Sequence, residues 1–312
     1  MPSTSLPVLS LASDPATLAE DLGRSFSTFG FAMVRDHGLD PALVARAWEL
    51  TQAFFALPDA EKRGYHMPGQ GGARGYTPFR TEIAKGAKVS DLKEFWHIGR
   101  ELPAGHPLLG PSMPANIWPD LPADFRATFT ALYAEFERVG AMLLARIAVW
   151  LGLPQDWFAP AIADGNSVLR LLHYPPVPDA DDGAIRAGAH EDINLITLLL
   201  GAEEAGLELL TREGEWLELA PPEGALVINI GDMLQRLTNH VLPSTTHRVR
   251  NPRGERAGFS RYSMPYFLHL RSDFRIETLP GCITPDNPDR YPAAITADDY
   301  LQERLREIGL RA

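Results

Sequence analysis

Short apolar segments separated by turn residues fill the second half of this 312-residue chain, and they predict a mainly β protein with flanking helices. Eight or so short strands close most simply into a double-stranded β-helix, the jelly roll also found in cupins. The predicted strands cover residues 167–174, 190–200, 207–210, 216–219, 225–230, 245–250 and 261–267, with a last piece around Phe274.

Helical patterns flank these strands. Asp14-Pro15 and Asp40-Pro41 each predict the start of an N-terminal helix, and residues 31–34 between those helices predict a buried strand. Apolar residues recur every three or four positions over 123–151, which predicts one long helix behind the barrel. Residues 298–310 predict a last amphipathic helix.

A connector rich in proline and glycine, residues 103–122, divides the chain. We therefore expect an N-terminal α/β region, 1–122, packed on a catalytic part, 123–312, that contains the long helix and the jelly roll. Residues 64–75 are rich in glycine but lack the Lys-Ser/Thr pair of a phosphate-binding loop. They are expected to form a mobile segment that covers the site.

Composition excludes several classes of partner. The net charge is −11 and no run of Lys or Arg is present, which argues against nucleic acid and against an anionic membrane. No apolar run reaches membrane-spanning length, and no signal peptide is evident. The single cysteine, Cys282, cannot form an internal disulfide, as expected in a reducing compartment. A cytoplasmic protein with a small-molecule substrate is expected; the sequence leaves the oligomeric state open.

Metal-binding residue types occur together in the second half. If 190–200 is one strand, His190, Asp192 and Asn194 lie on the same face, because side chains alternate. His247 begins a later strand and supplies a third ligand, while His240 is the alternative that we expect to lie in a loop near the mouth. Two histidines and one carboxylate form the facial triad of non-haem Fe(II) oxygenases. Asn194 is expected to orient Asp192 or the oxygen site.

An anion site follows the metal ligands. Arg261 and Ser263 share one face of a strand, and a guanidinium with a neighbouring hydroxyl suits a buried carboxylate. Arg170 and Tyr174 lie on the inward face of 167–174. A buried arginine needs a partner, so Arg170 is expected to pair with a substrate carboxylate or with an internal acid such as Glu94.

Aromatic residues are further candidates for a substrate pocket, although core packing explains them as well. Those named here are Phe79, Phe95 and Phe267. Together with Arg74, Arg170 suggests a small polar or amino-acid-like substrate.

Nearly the whole chain resembles the isopenicillin-N-synthase-like 2-oxoglutarate/Fe(II) oxygenases. The resemblance is carried by the opening segment 6–11, by Phe29-Gly30-Phe31 with His37-Gly38, and by the segments 54–62, Asp91-Leu92-Lys93-Glu94, His173-Tyr174-Pro175-Pro176 and 229–233. His247 stands in the His-Arg-Val context of that family, which favours it over His240. The resemblance implies a jelly-roll fold that holds Fe(II), uses 2-oxoglutarate and O2, and releases succinate and CO2. It also implies that Tyr174 donates its phenol to the 2-oxoglutarate carboxylate.

Other functions remain open at this point. Within the family, hydroxylation, desaturation, ring closure and breakdown of 2-oxoglutarate to ethylene are all possible. Two histidines and an aspartate also suit a zinc hydrolase, but the chain lacks a His-Glu-x-x-His motif at His190, and Arg261 would be unexplained. A non-catalytic jelly-roll binding protein would not need a complete ligand set.

Overall fold

The computed structural model describes residues 6–69, 72–83, 89–110, 113–177, 183–201, 205–252 and 254–307. Seven α-helices lie within these residues: α1 (Pro15–Phe29), α2 (Pro41–Phe55), α3 (Asp59–Arg63), α4 (Phe125–Trp150), α5 (Ala159–Ile162), α6 (Asp232–Leu237) and α7 (Ala297–Glu307). The predicted helix over 298–310 therefore begins at Ala297, and residues 308–310 lie outside the described residues.

Fourteen strands occur in the same part of the chain. They are β1 (Val8–Ser10), β2 (Phe31–Arg35), β3 (Gly75–Thr77), β4 (Glu94–Gly99), β5 (Val168–Tyr174), β6 (Ala187–His190), β7 (Ile196–Leu200), β8 (Leu207–Leu210), β9 (Trp216–Glu218), β10 (Leu226–Ile230), β11 (His247–Val249), β12 (Arg261–Leu268), β13 (Arg275–Ile276) and β14 (Ile295–Thr296).

Two sheets stack to form the jelly-roll core, which confirms the predicted fold class. The larger sheet has the order β1-β2-β10-β7-β12-β5-β4-β3, and the smaller has the order β6-β11-β8-β9. Within the two sheets every pairing is antiparallel except β1 with β2. The N-terminal strands form both edges of the larger sheet, so the N-terminal region is built into the same sheet as the catalytic strands.

The helices cover the outer face of the larger sheet. The Asp14 and Asp40 carboxylates accept hydrogen bonds from Thr17 N at 3.0 Å and Ala42 N at 2.9 Å, so each caps the first turn of its helix. Helix α4 lies directly on β12, where a Cβ atom at Gly140 would come within 2.3 Å of Leu268. A larger residue at this position would require the Leu268 side chain to move.

Two apolar layers result from this stacking. The larger lies between the helices and the outer face of the larger sheet, and its buried residues include Phe26, Trp96, Phe129 and Leu198. The smaller lies between the two sheets and includes Phe31, Leu172, Leu209 and Val227. Among the described residues, no helix is long and apolar enough to cross a membrane.

The prediction of one strand over 190–200 is wrong. Strand β6 ends at His190 and β7 begins at Ile196, with a turn between them. The backbone N–H groups at the start of α6 explain the break: Asp232 N donates to Asp192 O at 2.7 Å and Gly231 N to Leu195 O at 2.8 Å. These carbonyls are therefore not available for strand pairing.

Candidate active site

Three potential metal ligands meet where the smaller sheet faces the larger one. His190 ends β6 and His247 begins β11, and the two residues are paired across these strands. Asp192 follows in the turn before β7. One ligand atom from each of the three residues lies within 4.8 Å of the other two. Two imidazoles and one carboxylate at this spacing match the donor set of a non-haem Fe(II) centre.

Hydrogen bonds orient both histidines for metal binding. His190 Nδ1 lies 2.8 Å from Gly188 O, and His247 Nδ1 lies 3.1 Å from Thr245 O. Since each Nδ1 carries the proton that it donates to a carbonyl, each Nε2 is left with its lone pair. The two Nε2 atoms lie 3.8 Å and 4.0 Å from Asp192 carboxylate oxygens. Burial, with repulsion from His247, lowers the pKa of His190 to about 4, which keeps that imidazole in its ligand form.

Asp192 is held by residues from two strands of the larger sheet. Thr197 Oγ1 donates to Asp192 Oδ2 at 2.5 Å, and Asn229 Nδ2 donates to the same oxygen at 2.8 Å. Burial opposes ionisation of Asp192, but the two histidines and these donors together hold its pKa below the ordinary value. Thr197 was not among the site residues predicted from the sequence. Asn194 lies behind Thr197 as seen from Asp192. Its amide donates to Ile196 O at 2.7 Å and contacts Thr197.

A cavity between the two sheets connects the metal ligands with most of the other predicted residues. Tyr174, Ser263, Arg261, Arg170 and Phe267 line it together with His190, Asp192 and His247. Asn194, Phe79 and Phe95 are not among its lining residues. Phe79 is half-buried beside Arg80, and Phe95 lies behind the Arg170 guanidinium, 4.1 Å from the ring centre.

Arg261 is a buried cation without a carboxylate partner among the described residues. It is 1% exposed; its Nη2 lies 3.5 Å from Gly201 O and its Nε makes no hydrogen bond. Tyr174 is its partner across the β5–β12 pair, and Ser263 follows on the same face of β12. An unpaired guanidinium is costly to bury, so this arrangement fits an anionic ligand.

Arg170 has partners that the sequence analysis did not name. Its Nε donates to His97 Nε2 at 2.5 Å, and its two Nη atoms each lie 3.3 Å from a Glu82 oxygen. The expected pairing with an internal acid is found, but the acid is Glu82; the example named from the sequence, Glu94, lies on the opposite face of β4. Lys93 also lines the cavity, bound to Glu82 at 2.6 Å, and was missed.

His240 lies apart from the metal ligands. Its Nε2 contacts the Tyr291 hydroxyl at 2.6 Å, and its ring stacks on that of Tyr291. Among the described residues, the group that could hold a metal contains His247 and not His240.

Known proteins share both the sequence and the fold. Residues 6–121 match the model of the N-terminal region of the non-haem dioxygenase in morphine synthesis, and residues 165–270 match that of the 2OG-Fe(II) oxygenase superfamily. The proline hydroxylase buaE of Petromyces alliaceus is 35% identical over 301 residues, which cover 92% of this chain and 92% of that protein.

Two solved structures show the same architecture. A protein from Caulobacter crescentus assigned to the 2OG-Fe(II) oxygenase family has a TM-score of 0.91 and 53% identity, and the match covers 98% of this chain and 100% of that one. A full-length Neurospora crassa protein, solved in complex with alpha-KG and thymine, has a TM-score of 0.85 and 28% identity, with 96% of each chain covered.

The chain therefore belongs to the isopenicillin-N-synthase-like 2-oxoglutarate/Fe(II) oxygenase family. It is a dioxygenase that uses Fe(II), 2-oxoglutarate and O2, and it couples the oxidative decarboxylation of 2-oxoglutarate to succinate and CO2 with the oxidation of a small molecule.

Proposed function

We propose that His190 and His247 hold Fe(II) through Nε2, that Asp192 holds it through a carboxylate oxygen, and that Arg261 anchors 2-oxoglutarate. The observation that carries this proposal is the buried Arg261 guanidinium, which has no carboxylate partner among the described residues and lies in the same cavity as the three ligands. Bound Fe(II) supplies the redox chemistry with O2; the residues of the chain bind, orient and shield the reactants.

The anchor for the far carboxylate of 2-oxoglutarate has three parts. Arg261 provides the charge, Ser263 a hydroxyl beside it, and Tyr174 a phenol from the neighbouring strand, with its ring 5.2 Å from the guanidinium carbon. Charge-assisted hydrogen bonds of this kind fix both the position and the direction of a carboxylate. Because Arg261 and the ligands lie at different places along one cavity, the 2-oxo acid end of the same molecule would face the metal ligands.

Apolar side chains make up much of the remaining lining of the cavity and limit the access of water to the reacting atoms. Leu172, Leu199 and Phe267 line it from the larger sheet, and Leu207 and Val249 from the smaller one. The relatives named above act on or bind proline and thymine, which are small molecules. In a hydroxylation by this chain, one atom of O2 would enter succinate and the other the substrate.

Anaerobic spectroscopy tests the assignment directly. Fe(II) and 2-oxoglutarate are added to the protein, and the weak visible charge-transfer band of the chelate is measured. We expect the band in the wild type and in His240→Asn, and its loss in His247→Ala. Asparagine is chosen at 240 because this residue has a φ of 65°, which asparagine tolerates. A wild type that binds Fe(II) but forms no band would overturn the proposal, as would loss of the band in His240→Asn alone.

A further inference from the structure

One wall of the cavity carries charges that the metal ligands and Arg261 do not explain. Strands β4 and β5 form this wall, and Arg170 projects from β5 into the cavity. β12 separates β5 from β7, the strand that carries Thr197, so Arg170 and Thr197 stand on strands about 10 Å apart. If one end of a small molecule were bound at Arg170, the rest of that molecule would extend from Arg170 towards the metal ligands.

The Arg170 guanidinium is fixed in one orientation. Its carbon lies 4.1 Å from the Phe95 ring centre and 5.3 Å from that of Phe267, and its Nε donates to His97. His97 in turn lies 2.6 Å from Gly72 O through Nδ1, so its Nε2 is the acceptor for Arg170. An arginine that is held in this way loses little freedom when it binds a ligand.

Glu82 only partly satisfies this guanidinium. Its two contacts with Arg170 are both 3.3 Å, whereas its contact with Lys93 is 2.6 Å. Charge-assisted N–H···O bonds are normally about 2.7–2.9 Å long. Glu82 therefore lies closer to Lys93 than to Arg170, although it forms an ion pair with both. Since arginine has five N–H donors and these bonds use three, two N–H groups of Arg170 have no hydrogen-bond partner among the described residues.

A second buried cation lies on the same side of β4. Arg74 is 2% exposed, its Nη1 donates to Ala73 O at 2.7 Å, and its Nε and Nη2 make no hydrogen bond. It lies over Gly99, where a Cβ atom would come within 2.0 Å of the guanidinium carbon. Gly99 lies two residues after His97 and therefore on the same face of β4. Because His97 binds Arg170 on that face, Arg74 adds its charge to the same side of the sheet as Arg170.

The wall therefore has more positive than negative groups among the described residues. The cations are Lys93, Arg170 and Arg74, and the carboxylates are Asp91, bound to Lys93 at 2.8 Å, and Glu82. Burial and the neighbouring Arg170 hold the pKa of His97 well below its ordinary value, so its imidazole contributes no charge. One cation remains without a counter-charge, and a buried excess charge favours an anionic ligand.

We propose that the substrate is a small carboxylic acid with an apolar body, and that its carboxylate binds the free N–H groups of Arg170 in the field of Arg74. This inference rests on the proposed function, since it assigns the remaining part of the same cavity. Leu172, Leu199, Pro265 and Phe267 line the cavity beside Arg170 and contact the body of the acid. Arg261 remains reserved for 2-oxoglutarate.

Matched acids and amides test the proposal on the anaerobic Fe(II)–2-oxoglutarate complex. The probes are hexanoate, phenylacetate and proline, each beside its primary amide, with thymine as a neutral heterocycle. Binding is measured as a change in the visible band, and coupling as added succinate release in air. We expect at least one acid to bind about tenfold or more tightly than its amide, because a charge-assisted hydrogen bond is lost in the amide.

Variants locate the binding site. Arg170→Gln should weaken binding of the responding acid about tenfold or more while the 2-oxoglutarate band is unchanged. Arg170→Lys, which keeps the charge, should weaken it less. Arg248→Gln is the matched control, because Arg248 also pairs with an acid (Glu208, 2.7 Å) and lies over a ring (Trp216, 3.8 Å), on the smaller sheet.

Three results would overturn the proposal: equal binding of acid and amide, a response to thymine alone, or no response to any acid. Each applies to protein that forms the 2-oxoglutarate band. Absence of the band itself would instead contradict the proposed function, so the two failures are distinguishable. If Arg170→Gln does not fold, Arg74→Met carries the same test, with a smaller expected loss of acid binding.

Discussion

The two faces of the larger sheet both bury charged groups, but the described residues satisfy these charges more fully on one face than on the other. On the face towards the helices, the Glu94 carboxylate accepts from Lys62 at 2.8 Å and 2.9 Å, from the Tyr76 hydroxyl, and lies 2.6 Å from His173 Nδ1. On the cavity face, Arg261 has no carboxylate partner among the described residues.

The difference does not lie in burial, since Glu94 is 3% exposed and Arg261 is 1% exposed. A buried charge whose hydrogen bonds are all made inside the chain stabilises one conformation of that chain. A buried charge that lacks its partner keeps its desolvation cost until a ligand supplies the opposite charge. We therefore expect substitutions on the helix face to change stability, and substitutions on the cavity face to change ligand binding.

Glu94→Gln should produce the largest loss of stability. It leaves the Lys62 ammonium buried without a counter-charge, and breaking a buried ion pair in this way costs about 3–5 kcal/mol. Urea denaturation measures the change in the free energy of unfolding. The double variant Lys62→Met with Glu94→Gln should recover part of the loss, and in both variants the Fe(II)–2-oxoglutarate band should remain. Unchanged stability in Glu94→Gln would show that the network is not structural.

The same residue should make stability depend on pH. Burial opposes ionisation of Glu94, but His173, Lys62 and Tyr76 together lower its pKa below the ordinary value. A carboxyl group with a lowered folded-state pKa contributes stability that is complete above its unfolded pKa and is lost as the pH falls through its folded pKa. As the pH is lowered into the acid range, the free energy of unfolding should therefore decrease less in Glu94→Gln than in the wild type.

Arg261→Met should show the opposite pattern. Truncating one partner of a buried charge pair costs about 3 kcal/mol of binding, so KM for 2-oxoglutarate should rise about 100-fold. Stability without 2-oxoglutarate should be unchanged or higher, since an unpaired buried charge is removed. Steady-state kinetics and urea denaturation of the apo protein measure the two effects. A large loss of apo stability with unchanged KM would assign Arg261 to the structural class.

Local patterns account for what the sequence predicted well. The Asp-Pro starts of α1 and α2, the apolar period of α4 and the alternation along β5 depend on neighbours within a few residues. His190, Asp192, His247, Arg261 and Ser263 could be selected because each belongs to a short motif of suitable chemistry. The structure brings all five to one cavity.

The errors involve contacts between distant segments. The turn after His190 exists because α6, forty residues later, binds its carbonyls. The pairing of Arg170 with His97 and Glu82 depends on the register in which β4 joins β5, where His97 is opposite Arg170. That register also turns Glu94 away to the helix face. No short motif around Arg170 contains this information.

Among the three substitutions, Thr197→Val should have the smallest effect. It tests how a hydrogen bond to a metal ligand in the cavity changes metal binding. The variant keeps the shape of the side chain but removes the hydroxyl that donates to Asp192 Oδ2, leaving Asn229 as the other donor to that oxygen. Losing a residue that orients a metal ligand typically weakens metal binding about 10-fold or more. Fe(II) titration measures the affinity, with Thr51→Val as the control, because the buried Thr51 hydroxyl donates to a helix carbonyl, Ala47 O, instead. We expect weaker Fe(II) binding in Thr197→Val only; equal affinity in both variants would mean that Asn229 alone orients the carboxylate.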